Sequence, residues 1–243
     1  MARTNTLGNF LTDVADAIRE KKGTSETIQA SDFDTEIVNL PSSGGLDWTA
    51  LGYSGQPQII EDDYSYSKNI YDNWNPSTTS MVAKFQNDKN LVYMPLVDTS
   101  NVTNMASAFN GCAKLRYLPE LNTSNVTVMG SCFVSTLLET FPLLDTSNVT
   151  SMAYMFMACS ALKTVPLLNT SNVTSFSSMF SNCIALTDTS LDNILKMCIN
   201  ATSYTGTKKL TELGITNTSI YTDSRIQALP HYQDFINAGW TIR

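Results

Sequence analysis

The pentapeptide Thr-Ser-Asn-Val-Thr occurs four times, beginning at Thr99, Thr123, Thr146 and Thr170. Successive starts are 24, 23 and 24 residues apart (123 − 99, 146 − 123, 170 − 146). A fixed period of this length marks a chain that stacks one small unit on the next, because a single unit cannot bury its own apolar side. The chain's architecture must therefore be read from columns, the residues that share a place in successive units.

Asp98, Asn122, Asp145 and Asn169 open the units. Met105, Met129, Met152 and Phe176 follow, then Phe109, Phe133, Phe156 and Phe180 four residues later. Cys112, Cys159 and Cys183 share the next column, where Thr136 stands once. Leu115, Leu138, Leu162 and Leu186 lead to Leu118, Phe141 and Val165, and Pro119, Pro142 and Pro166 close the unit. A degenerate copy with Met81, Phe85, Leu91, Met94 and Pro95 lies upstream, which makes about five turns between residues 75 and 187. The third unit lacks one residue between Phe133 and Leu138.

Apolar residues four apart, with small residues between them, predict a short helical turn. The Leu-x-x-apolar-Pro stretch predicts a short stacked strand. Asp or Asn followed by Thr-Ser-Asn is turn chemistry, and identical polar residues in register predict a ladder from turn to turn.

The unit D-T-S-N-V-T-x-M-x-x-M-F-x-x-C-x-x-L, cleanest at Asp145–Leu162, resembles the BspA-like subclass of bacterial leucine-rich repeats. The resemblance implies a curved α/β repeat solenoid, with strands on one face and short helical segments on the other. It also implies an adhesin-like binding role for a surface or secreted protein. A second resemblance covers residues 11–40, where Ala15–Lys21, Gly23 and Asp32–Ile37 are similar to a helical module of phage and prophage tail structural proteins. That implies assembly, with the repeats as a spacer, as the alternative function.

The remaining organisation follows from pattern. Residues 1–40 form a helical segment with Leu7, Phe10, Leu11, Val14 and Ile18 at helical spacing, open to self-association or docking, and 41–45 read as a linker. Residues 46–74 are rich in Trp and Tyr and suit an N-terminal cap. Residues 188–243 suit a helical C-terminal cap, with one helix capped by Asp188-Thr189-Ser190 and another over 223–238.

A net charge of −7 opposes nucleic-acid binding and adsorption to an anionic membrane. No stretch is long and apolar enough to insert in a membrane, and residues 1–19, interrupted by Asp13 and Asp16, do not read as a signal peptide. The expected location is a cell surface or the extracellular space, or a virion. The column cysteines read as small buried thiols, although Cys159 and Cys183 on adjacent turns would be close enough to approach each other. One histidine, His231, leaves little material for proton shuttling, and neither a phosphate loop, a nucleophile motif nor a metal spacing is present. The chain reads as non-enzymatic and free of cofactors.

Ligand-reading residues are expected between the fixed leucines. Tyr93, Arg116, Tyr117, Glu120, Glu139 and Lys163 are the candidates, with a protein or surface glycan as the partner. Arg and Tyr concentrate binding energy in interfaces, whereas Arg116, Glu139 and Lys163 alternate in sign and would also suit a lateral charge ladder. The Asn-x-Thr sequences at Asn101, Asn125, Asn148 and Asn172 match glycosylation acceptors but fall in the ladder position.

Overall fold

A computed structural model describes residues 61–216 and 220–243. The N-terminal helical segment, the linker and the first part of the aromatic stretch lie outside the described residues. The repeats belong to the unit Ile60–Arg243.

Repeating units do stack, but not as a curved α/β leucine-rich-repeat solenoid. Among the described residues no β-strand forms, and no helix occurs within the repeats. The contacts between turns are isolated parallel bridges at Ser80–Asn104–Val128–Ser151–Ser175, with further bridges at Tyr93–Tyr117 and Thr140–Thr164. The expected strand fails for a chemical reason. After the Tyr93–Tyr117 bridge, a parallel ladder would next need the N–H of residue 119, and after Thr140–Thr164 that of residue 166. Both positions are proline, which has no N–H to give.

The expected helical turn fails because a left-handed residue interrupts the backbone at every fourth position. Ala83, Ser107, Ser131, Tyr154 and Ser178 form one column of positive φ, at 51° to 59°. Four residues on, Asn87, Gly111, Ser135, Ala158 and Asn182 form another, at 57° to 76°. Left-handed residues turn every second peptide along the stack axis. The N–H groups of Met105, Ser107, Phe109 and Gly111 thus reach the carbonyls of Val128, Gly130, Cys132 and Val134 at 2.8–3.0 Å. The peptides between them close tight turns instead, as in Ala108 N–H to Met105 O at 3.0 Å. Each left-handed non-glycine residue costs about 1–2 kcal/mol, and small or amide side chains fill nine of the ten places.

The pentapeptide is consumed by stacking. Asp145 accepts the Ser147 N–H at 2.9 Å, and Thr146 Oγ1 donates forward to Asn169 O at 2.8 Å. Asn148 Nδ2 donates back to Ser124 O at 2.7 Å, Val149 is fully buried, and Thr150 Oγ1 donates back to Thr127 O at 3.1 Å. The same asparagine bond recurs from Asn101, Asn125 and Asn172 to the preceding turn. This is the polar ladder expected of identical residues in register.

Inside, Phe85, Phe109, Phe133, Phe156 and Phe180 stack ring on ring at 5.3–5.9 Å between centroids, with planes within 19°. Phe141 meets Phe133 and Phe156 edge-on at 5.1 and 4.7 Å. Each such aromatic pair contributes about 0.5–1.5 kcal/mol beyond area burial. All five cysteines are free thiols. Cys112, Cys159 and Cys183 aim Sγ at the carbonyls of Phe85, Phe133 and Phe156 at 2.9–3.0 Å, and Thr136 Oγ1 meets Cys159 Sγ at 3.3 Å. The thiols of adjacent turns face main-chain acceptors, not each other.

Other chemistry packs against each end. Helix α1, Glu61–Asp72, precedes the first turn, where Ser67 Oγ donates to Tyr93 O at 2.8 Å and Tyr66 OH to Asp88. Helix α2, Asp188–Asn200, caps the last turn with side chains that replace backbone partners. Ser190 Oγ accepts from Val165 N–H at 3.0 Å, and Asn193 Nδ2 donates to Val165 O at 3.0 Å. Asp188, Thr189 and Ser190, expected as the cap, are already helical, because Thr187 is the N-cap. A 3₁₀ turn, Leu210–Leu213, then presents Glu212 O and Leu213 O to the N–H groups of Ser178 and Phe180, both at 2.7 Å. The helix expected over 223–238 divides into α3, Asp223–Gln227, and α4, Tyr232–Asn237, on either side of Pro230. Trp240 closes the apolar end, stacked on Tyr204 at 5.2 Å.

Three outcomes follow from this packing. Phe133→Ala, at the middle of the ring stack, should cost about 3–5 kcal/mol in urea unfolding. Gly214→Ala should cost about 1–3 kcal/mol, because Gly214 has φ of 86° and a Cβ there would lie 2.5 Å from the Ser181 nitrogen. Native protein at pH 8 should resist alkylation by iodoacetamide, with full labelling only in denaturant. Burial pushes the Cys112 thiol up to about 11, and it raises those of Cys132, Cys159, Cys183 and Cys198 as well.

Candidate functional site

With the constant columns turned inward or into ladders, the stretch between each pair of buried leucines carries outward side chains on either side of one inward apolar residue, such as Phe141 or Val165. In the second turn this is Arg116–Glu120, between Leu115 and Leu121. Arg116 and Glu120 are exposed, and Tyr117 is 49% exposed. Tyr93 bridges to Tyr117 in parallel and is half-buried. The two tyrosines are thus neighbours on consecutive turns, one inset and one projecting.

Glu139 and Lys163 lie on the next two turns and pair directly, Nζ to Oε2 at 2.6 Å, with both side chains more than half exposed. The Lys163 ammonium, first as hydrogen-bond donor and then by charge, holds the Glu139 carboxyl below its usual value, and Arg116 adds a smaller pull. Arg116, Glu139 and Lys163 therefore form one ladder of alternating sign. Exposed pairs of this kind add little to stability, and their effect falls with salt.

Four residues past each fixed leucine's neighbour, the same face carries apolar groups that the candidate set did not include. Leu96 is 62% exposed, Leu143 61% and Leu167 42%, with Glu120 in the same column between Leu96 and Leu143. The column was visible in the alignment of units, but leucine identity gave no hint of exposure. Beyond Leu167 the surface sinks into a shallow depression of about 490 Å³ against α2, with Ile199 on its apolar side and Asn169, Asn200 and Thr202 on its polar side. Tyr154, on the opposite run of the turn, is 42% exposed and sits in a left-handed position otherwise held by Ala and Ser. Its sequence signal was the break in a column of small residues.

His231 belongs to a different cluster. Its Nδ1 lies 2.9 Å from Asp192 Oδ2, its main-chain N–H donates to Asp192 Oδ1 at 2.9 Å, and Lys196 Nζ is 3.0 Å from the same carboxylate. Burial pushes the Asp192 carboxyl up, but the His231 main chain, Lys196 and the His231 ring together hold it below its usual value. The cluster fastens α4 to α2 and so supports the C-terminal cap. Among the described residues no group of His, Cys, Asp and Glu is placed to hold a metal ion, and no helix is long and apolar enough to cross a membrane.

A carboxyl titration tests the charge ladder. Because the folded value of Glu139 is depressed, the pairing contributes above the ordinary value of 4.5 and is lost as pH falls through the lower folded value. By NMR, Glu139 should titrate below 4.5, and Lys163→Met should bring its midpoint back up toward that value. The carboxyls of Asp98 and Asp145, held down by the hydroxyl and N–H of Ser100 and Ser147, should likewise titrate below 3.8.

Comparison with known proteins bears on the repeats and on the segments that directly flank them. A family described as a Mycoplasma protein of unknown function, DUF285, matches residues 58–137 and again 79–194. Together the matches span 58–194, or 137 of the 243 residues (194 − 58 + 1). No curated protein and no solved structure matches the chain. The two overlapping matches run through the stacked units just described, and the chain belongs to the DUF285 family.

Proposed function

We propose that this chain is a non-enzymatic recognition protein that reads a protein or a surface glycan with the outward columns of its repeat stack. One observation carries the reading: the backbone and constant columns are used up in holding turn to turn, while Arg116, Tyr117, Glu120, Leu143 and Leu167 face outward. Fixed spacing of projecting side chains on a stiff support limits the entropy lost on binding. Half-exposed Tyr117 beside Arg116 supplies the residue types that anchor interfaces, and the projecting leucines supply apolar contact area. The consensus of the units favours kinship with BspA-like repeats, and with it display on a cell surface or a virion. The alternative role in tail assembly depends on residues 1–40, which lie outside the described residues.

The test is a binding measurement on the full chain against arrayed bacterial and host glycans and against surface-protein extracts. Arg116→Ala with Tyr117→Ala should weaken the binding found by about 30-fold, the scale of a lost hot spot. Ser147→Ala, in the ladder, should leave affinity unchanged at temperatures where the protein is folded. A double variant that binds as well as the parent sinks the proposal.

A further inference from the structure

Exposure alternates along the last outward stretch of each turn. Leu96 is 62% exposed, Val97 is buried and Asp98 is exposed, and Leu143, Leu144 and Asp145 repeat that order two turns on. Glu120 with Asn122, and Leu167 with Asn169, fill the same two outward places. Residues two apart on an extended chain share a side. The face therefore carries two parallel columns, one of Leu96, Glu120, Leu143 and Leu167, the other of Asp98, Asn122, Asp145 and Asn169.

The chemistry of these columns is one-sided. Three carboxylates stand among three projecting leucines, and neither column holds a Lys or an Arg. Ser100 and Ser147 hold the Asp98 and Asp145 carboxyls below their usual value, so both are charged near neutral pH. Arg116 and Lys163 lie four residues earlier in their turns, and Lys163 is paired with Glu139 at 2.6 Å. At the C-terminal end the columns run into the depression of about 490 Å³, whose lining includes Leu167, Asn169 and Ile199 and no charged side chain.

We propose that these two columns are a docking face for a basic amphipathic helix of a partner protein, which lies along the stack axis with apolar groups on the leucines and Lys or Arg beside the carboxylates. Charge selects the occupant. A second copy of this chain carries a net charge of −7 and would be repelled by the acidic column. A neutral glycan brings no cation to the carboxylates and little apolar surface to the leucines. Spacing selects the form of the partner. Turns joined by parallel bridges advance by about 5 Å. Side chains three or four apart on a helix lie about 5–6 Å apart, close to that step. Same-face side chains of a strand lie about 6.6 Å apart and fall out of step within two turns. From Leu96 to Leu167 is three such steps, about 15 Å, which a helix of about ten residues covers. The inference rests on the outward columns being a recognition surface, and it adds the class of partner and the acidic column.

The probe is a fluorescent peptide of repeated Leu-Lys-Lys-Leu-Leu-Lys-Lys, about 14 residues long, whose leucines fall on one helical face. In anisotropy it should bind the full-length protein saturably, and more weakly as salt rises. Asp98→Asn, Glu120→Gln and Asp145→Asn together should weaken binding about tenfold or more. The fold already holds an amide in the outer column at Asn122 and Asn169. Leu143→Gln with Leu167→Gln should weaken it as much, and Glu120 shows that a polar side chain is accepted in that column. A scrambled peptide of the same composition, and one with Glu in place of Lys, should each bind about tenfold more weakly or worse. No saturable binding, unchanged affinity in either variant, or equal binding by the scrambled peptide would each overturn the inference. Peptide binding lost through Arg116→Ala with Tyr117→Ala, but not through the two variants above, would overturn it while the wider reading of the outward columns stands. An arrayed glycan released by Leu143→Gln with Leu167→Gln, without binding of the peptide, would assign the face to sugar and overturn it as well.

Discussion

Everything in the repeat region depends on alternate peptides standing along the stack axis. That one choice gives each turn a set of direct bonds to the next without a strand or a helix. It requires two left-handed residues per turn, and a chain rarely accepts that at non-glycine positions. The strain is tolerable because it recurs at the same two places in every turn, where the neighbouring turns restrain the same atoms. Cooperativity between turns is thus built into the backbone, and the side chains only select which sequence can follow it.

The phenylalanine stack and the asparagine ladder are consequences of that register. Once the peptides repeat, identical side chains are brought to nearly identical places, one turn apart. Apolar rings then meet face to face, and amides meet the carbonyl of the turn behind. Sparse charge in the repeats fits the same geometry, since like charges in one column would repel at each step. The outward ladder of Arg116, Glu139 and Lys163 meets that constraint by alternating sign.

The period, the number of turns, the buried Met, Phe, Cys and Leu columns and the polar ladder were all legible in the order of residues. Local conformation was not. Met105 and Phe109 are four apart, which suits one face of a helix, but a left-handed residue at every fourth position also returns a side chain to the same face after four steps. What distinguishes the two is the small or amide residue at positions such as Ser107, Gly111, Ser131 and Ala158, a signal that also fits a helix made of small residues. The proline columns carried the other half of the answer. Pro119 and Pro166 fall where a parallel ladder needs its next donor, and that could be known only after Tyr93–Tyr117 and Thr140–Thr164 were paired. At the candidate face, Arg116 and Tyr117 could be picked out by residue type. The exposure of Leu96, Leu143 and Leu167 was legible only from their variable column, shared with Glu120, and not from residue type, because neighbouring leucines such as Leu115 and Leu162 are fully buried.

The short third unit has a consequence for how such a chain can change. Its missing residue falls between Thr136 and Leu138, where Leu137 alone spans a step that Ala113–Lys114 and Ser160–Ala161 take with two residues. The rings on either side still stack, and Leu137 N–H still reaches back to Leu115 O at 2.9 Å. In this unit the corner has lost a residue, and with it the bridge between Tyr117 and Thr140, while the inward stack keeps its register. Length changes at this corner are thus absorbed by the outer pairing of the two turns that meet there, and the ring stack inside is spared.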